Sequence, residues 1–169
     1  DPLVRNLATI GGNLAHADPA NDHPATLLAL GAEIVATGVN GERTIPVTEF
    51  FTDFFTTALR PDEILTEIRI PAPVAGSGGA YVKLERKVGD FAIVGVAAQV
   101  SIDATGICTR AGIGLTNVAP TPLKVQPAED LLQGKRLDQD SIAQAAQLAA
   151  EAARPEADLR GSIEYKRDM

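Results

Sequence analysis

Between Thr9 and Asp22 the chain gathers residue types suited to holding a ligand: Thr9-Ile10-Gly11-Gly12-Asn13, then His16-Ala17-Asp18-Pro19-Ala20-Asn21-Asp22. Paired glycines accept positive φ and carry no Cβ to hold a ligand away. Successive amides in a tight turn form a nest that receives anions. One reading is therefore a glycine loop that brings main-chain N–H groups up to a phosphate or a flat heterocycle. The same composition also builds an Asx-capped turn that binds nothing, and the residues alone leave both open. His16, Asp18 and Asp22 offer two metal ligands at best, since His16 and His23 stand seven residues apart across Pro19. Loop capping is the role expected of these carboxylates. No Ser-His-Asp or Cys-His arrangement is legible elsewhere.

Composition narrows the classes of function. The chain has 169 residues, enough for one core or two small ones, and 45% are hydrophobic against 4% aromatic with no Trp. Ala, Val, Ile and Leu must build the interior, and a neighbouring domain or subunit is expected to share in its stability. A net charge of −7 with no basic stripe argues against nucleic acid as a partner. There is no apolar run of transmembrane length. Cys108 is the only cysteine, so an internal disulfide, a zinc cluster and an iron–sulfur site of this chain's own are all out of reach. It lies between Ile107 and Thr109 in an expected strand, as a half-buried inert thiol.

The elements that must position the Thr9–Asp22 stretch can be read from periodicity and punctuation. Residues 22–30 form an expected helix, with Asp22 or His23 near its cap, Pro24 in its first turn and Gly31 as its stop. Residues 32–36 and 43–47 are predicted strands joined by a turn at Gly38-Val39-Asn40-Gly41. A short helix or turn at 48–55 carries Phe50, Phe51, Phe54 and Phe55, a local core or a docking surface. After the Arg60-Pro61-Asp62-Glu63 turn, residues 64–70 alternate as a strand, with Ile64, Thr66, Ile68 and Ile70 on one face and Leu65, Glu67 and Arg69 on the other. The stretch from Pro71 through Gly79 reads as a linker, and the boundary between two domains, 1–75 and 76–169, is expected there.

Beyond that linker, residues 80–86, 91–102 and 107–115 are predicted strands, stopped by Pro120 and Pro122. Helices follow at 128–132 and 139–153, the second capped by Asp138 or Asp140 and apolar along Ile142, Ala145, Ala146 and Ala149. The expected fold class is α+β, with an antiparallel three-stranded sheet covered on one face by helices. Tyr81, Lys83 and Glu85 share a strand face, so Lys83 is a candidate to point back at the first segment.

Taken together, Arg5 to Leu14, Asp18 to Asp22 and Pro24-Ala25 resemble the flavin-binding medium subunit of the molybdenum hydroxylases, the xanthine dehydrogenase and carbon monoxide dehydrogenase family. Leu59 to Leu65, Tyr81 to Lys87 with Asp90 and Ala92, and Gly161 to Arg167 extend the resemblance over essentially the whole chain. The resemblance implies the C-terminal half of a vanillyl-alcohol-oxidase-type FAD-binding domain, followed by a carbon monoxide dehydrogenase flavoprotein C-terminal-like domain. It implies FAD as cofactor, with Thr9, Ile10, Gly11, Gly12 and Asn13 about its diphosphate, Asp18 and Asp22 as acids of the binding loop, Leu59 or Leu65 bordering the flavin rings, and Lys83 approaching from the second domain. No acid–base catalytic residue of the chain's own is implied.

The same resemblance implies partners: a molybdopterin-containing large subunit and a small subunit with 2Fe-2S clusters. Electrons would pass from these to FAD and on to NAD, quinone or oxygen, in the cytoplasm. The family's preceding lobe, with a second glycine-rich loop, and a further Arg- and Ala-rich helix at the end are not in this sequence, so the chain is expected to be an internal piece. The Phe50–Phe55 cluster and the Ala-rich C-terminal region are candidate subunit contacts. The competing expectation is a cofactor-free assembly protein that keeps the docking surface. A third is a different nucleotide in the glycine loop.

Overall fold

The computed structural model describes residues 2–169. Two short helices come first, α1 (Pro2–Leu7) and α2 (Ile10–His16), followed by α3 (Asp22–Leu30), which Gly31 ends in the left-handed conformation with its amide on Leu27 and Leu28 carbonyls. Strands β1 (Glu33–Gly38) and β2 (Gly41–Pro46) form the expected hairpin, and β5 (Glu63–Arg69) pairs along the other side of β1. Between them lie α4 (Val47–Phe50) and a small ladder of β3 (Phe51–Asp53) with β4 (Thr56–Thr57). The core of this part gathers Leu14, Leu27, Leu28, Ile34, Ala36, Ile45, Val47 and Phe50.

Two expectations are corrected here. The four phenylalanines split: Phe50 and Phe51 are buried, whereas Phe54 and Phe55 are exposed and stack edge to face on each other. The regular alternation of β5 also fails, because Val35 pairs with Glu67 and Ala36 with Leu65, which leaves Thr66 as a bulge. Leu65 and Ile68 therefore both pack on the core, and Ile64 and Ile70 are left exposed. A bulge resets the two-residue period, and nothing in the side-chain sequence marks it.

The second sheet runs in the order β6 (Ser77–Leu84), β7 (Val94–Ile102), β8 (Cys108–Thr116) and β9 (Leu123–Lys124), all antiparallel. Its three long strands are the expected ones, and two residues after Pro122 add a short edge. Gly78 and Gly79 belong to β6 rather than to a linker, with Gly79 opposite Gln99. Strand β7 starts three residues later than predicted, because the Asn117 amide takes up the Ala92 and Ile93 carbonyls.

Helices α5 (Gln126–Leu132) and α6 (Gln139–Ala152) cover one face of this sheet, and α7 (Ile163–Asp168) follows. Asp138 and Ser141 cap α6 reciprocally. Its buried side runs through Ser141 and Ala145 toward Leu148, Ala149 and Ala152, while Ile142, expected inside, is half exposed.

The other face is covered by α3, which belongs to the first segment. Gly79, Gln99 and Gly112 form one row across that face; Tyr81, Ala97 and Gly114 form the next; and Lys83, Gly95 and Thr116 the last. A Cβ on Gly112 would stand 1.9 Å from the Ala29 carbonyl oxygen, and one on Gly114 would stand 2.1 Å from that of Ala25. The helix backbone thus rests directly on the strand, with Ala25 and Ala29 against Ala97. Arg110 Nη2 donates to the Leu30 carbonyl at 2.8 Å and ties down the helix end.

Candidate cofactor site

Gly11 and Gly12 lie in the first turn of α2, not in a loop, and neither has positive φ. The loop reading is corrected for a physical reason: Thr9 is extended and its Oγ1 accepts the Gly12 amide at 2.9 Å, which caps a helix at Ile10. The amides of Ile10 and Gly11 lie outside the helix's own ladder, at its positive end. A Cβ on Gly12 would stand 2.9 Å from Thr9 Oγ1 and crowd that cap, whereas one on Gly11 would meet Leu65 Cδ2 at an ordinary 3.4 Å. Asn13 is half-buried, and its Oδ1 is enclosed with no donor.

Asn21, not Asp22, is the cap residue of α3, and its Nδ2 donates to the Asn13 carbonyl at 2.8 Å, which ties α3 to α2. Asp22 is thereby released from capping. Its Oδ1 accepts the Tyr81 hydroxyl at 2.9 Å and its Oδ2 accepts Lys83 Nζ at 2.9 Å. Lys83 also reaches Glu85 at 3.2 Å. Burial works to lower the Lys83 pKa, but hydrogen bonds and charge from Asp22 and Glu85 outweigh it, and the net shift is upward. The ammonium is held firmly charged. Burial pushes the Tyr81 phenol up, with the Asp22 charge adding to it, so it is a donor throughout the physiological range.

The remaining sequence candidates fall in two places. Asp18 turns in on its own loop, accepting the Ala20 amide at 2.9 Å, with His16 Nε2 at 4.0 Å. Leu59 and Leu65 are half-buried and packed on the first core, Leu65 beneath Gly11. Thr9 to Asn13, Asp22 and Lys83 thus share one end of α3, and a cavity of about 450 Å³ beside it is lined by Ile10, Asp22, Thr26, Leu30, Ile70 and Tyr81 among others. A second cavity of about 600 Å³ lies between Asp18, Phe54, Phe91, Asn117 and Arg160. Among the described residues no group of three or more His, Cys, Asp and Glu gathers as a metal would need, and no helix is long and apolar enough to cross a membrane. Cys108 is fully buried, its thiol raised in pKa by that burial.

Sequence reasoning missed Tyr81 as part of this cluster, although its shared strand face with Lys83 was a usable signal. Gly95 is what makes room: a Cβ there would stand 2.2 Å from the Tyr81 hydroxyl.

Comparison with known proteins adds the decisive observation. Residues 1–73 match the family described as the FAD binding domain in molybdopterin dehydrogenase, and residues 79–169 match the CO dehydrogenase flavoprotein C-terminal domain. The chain belongs to the FAD-binding medium-subunit family of the molybdenum hydroxylases. It is 43% identical to the carbon monoxide dehydrogenase medium chain of Afipia carboxidovorans, over all of this chain and 58% of that one. To the glyceraldehyde dehydrogenase medium chain of Sulfolobus acidocaldarius it is 32% identical, over all of this chain and 59% of the relative.

Among solved structures, a carbon monoxide dehydrogenase from Hydrogenophaga pseudoflava that lacks the Mo-pyranopterin moiety superposes with a TM-score of 0.96 at 46% identity. That match covers 100% of this chain and 58% of the other. Quinoline 2-oxidoreductase from Pseudomonas putida gives 0.88 at 34%, covering 98% and 57%. The chain therefore spans somewhat more than half the length of the relatives it matches. The expected fold class and FAD as the family's cofactor both stand.

Proposed function

We propose that this chain forms the α2/α3 side of the FAD site in a medium subunit that carries electrons within a molybdenum hydroxylase. FAD, when bound, supplies the two-electron and one-electron redox chemistry that no side chain of this protein offers. Support for a fit comes from the chain's own groups. The start of α2 presents main-chain donors to a diphosphate at little entropic cost, and Asn13 Oδ1 is an acceptor in want of a hydroxyl or amide. Asp22 and Lys83 then offer opposite charges on one rigid seam. In this reading Ile10, Gly11 and Gly12 bind the diphosphate, Thr9 holds that turn in shape, and Asp22 and Lys83 orient the rest of the nucleotide. Asp18 shapes the intervening loop, and Leu59 and Leu65 back the site with apolar surface. A domain division at 75/76 fits the same reading, with α3 as the shared wall.

The observation that carries the proposal is the meeting of Asp22 and Lys83, 61 residues apart in sequence, at 2.9 Å beside the capped start of α2. We further propose, as the family resemblance implies, a molybdopterin-containing large subunit and a 2Fe-2S small subunit as partners, with NAD, quinone or oxygen as the outer acceptor, in the cytoplasm. The test is extraction of nucleotide from the full-length protein, with its absorbance and mass. Stoichiometric FAD, reduced several-fold by Gly12→Val, is the expected result. A colourless protein that still captures a molybdenum-containing subunit identifies the assembly role instead.

A further inference from the structure

We propose that Tyr81 is a positioning residue of the cofactor site, setting the Asp22 carboxylate for FAD from the sheet side, with Thr116 setting Tyr81 in turn. This rests on the reading of Asp22 as a cofactor residue. Asp22 has two donors of unlike character. Lys83 is a point charge divided between Asp22 at 2.9 Å and Glu85 at 3.2 Å, so it sets the direction of the Asp22 carboxylate less narrowly than a ring-borne donor does. Tyr81 is a rigid ring on a central part of β6, and its hydroxyl lies 2.9 Å from Asp22 Oδ1 and 3.3 Å from Thr116 Oγ1. A donor held at both ends selects one rotamer of the carboxylate.

The surroundings are built to admit that hydroxyl. Thr116 is fully buried, and its hydroxyl lies 3.3 Å from that of Tyr81. Gly95, opposite Thr116 on the neighbouring strand, vacates the volume the phenol oxygen occupies. Tyr81 is half-buried, and phenylalanine would fill the same space without needing a partner for its oxygen. The use of the hydroxyl lies in what it touches, Asp22 on one side and Thr116 on the other. Cofactor affinity is in this way tied to the second sheet through a side chain that need not contact the cofactor.

The experiment is a double-mutant cycle on FAD dissociation constants in the full-length protein: wild type, Tyr81→Phe, Asp22→Asn and the double variant. Tyr81→Phe is expected to weaken FAD on the order of tenfold, the loss of one hydrogen bond to a charged group. In the Asp22→Asn background the same change is expected to cost less than about twofold, because its effect runs through the carboxylate. Equal weakening in both backgrounds marks a merely structural role and overturns the inference. Weakening by Asp22→Asn alone overturns it too, while leaving Asp22 a cofactor residue. Should Asp22→Asn itself have no effect, the reading of Asp22 falls and the inference with it. If Tyr81→Phe does not fold, Thr116→Val enters the same cycle, with a smaller loss expected and the same dependence on Asp22.

Discussion

The two faces of the four-stranded sheet are covered by opposite means. Toward α5 and α6 it presents Val94, Ile113 and Leu115, which interlock with Val125, Ala128, Leu132 and Ala145. Toward α3 it presents Gly95, Ala97, Gly112, Gly114 and Thr116 under the helix, beside the longer Tyr81, Lys83 and Gln99, and the helix backbone touches the strand. Large aliphatic side chains supply buried area, at roughly 25 cal/mol per Å². Small residues supply little area but fix a distance. The difference suggests a division of labour: the aliphatic face stabilises the fold, and the glycine face sets how near Asp22 stands to Tyr81 and Lys83.

The largest expected effect lies on the aliphatic face. Leu115→Ala leaves a cavity there and should lower stability by about 3 kcal/mol, read from the urea midpoint, while FAD affinity in the folded protein stays within about twofold. On the glycine face, Gly114→Ala should cost about 2 kcal/mol, because its Cβ would be driven into the Ala25 carbonyl. It should also weaken FAD several-fold by lifting the Asp22 end of α3. If both variants weaken FAD alike, the division of labour fails.

A third, smaller change sharpens the comparison from outside the seam. Asp138→Ala removes the cap of α6 and should cost about 1 kcal/mol with no effect on FAD, again by urea unfolding and fluorescence titration.

An ion pair on the first sheet should contribute to the pH dependence of stability, beside the depressed carboxyls of Asp90, Asp103, Asp138 and Asp158 elsewhere. Arg43 donates to Glu63 through Nε at 2.7 Å and Nη2 at 2.8 Å. This pair, with the Arg60 amide, holds the Glu63 carboxyl down at about 2. A depressed folded value stabilises the protein above the ordinary glutamate range and loses that contribution as pH falls. Unfolding midpoints should therefore decline from about pH 4.5 toward pH 2 in wild type and be flatter in Glu63→Gln. Equal declines in wild type and Glu63→Gln would contradict the role given to the pair.

Much of this fold was legible because it is written in local chemistry. Gly31 stops α3, Asp103 seeds the turn before Cys108 by accepting the Thr105 and Ile107 amides, and Asp138 caps α6, each through its own backbone neighbourhood. The site residues were legible through the family resemblance, and Lys83 also through strand parity. What stayed hidden was tertiary. Gly11 and Gly12 are the local exception: their composition reads as a loop, but the Thr9 cap three residues away makes them a helix start. The bulge at Thr66 has no side-chain signature. Gly112 and Gly114 read as weak strand residues until α3 is laid on them, and Tyr81 gains its role only when α3 brings Asp22 above it.

The central claim is that the capped start of α2 and the Asp22 end of α3 together receive FAD. A crystal structure of the full-length protein with FAD tests it most directly. The account predicts the diphosphate within hydrogen-bond reach of the amides of Ile10 to Gly12, with Asp22 and Lys83 on the same nucleotide. A diphosphate seated instead in the cavity between Phe54, Phe91 and Arg160, away from those amides, would contradict it.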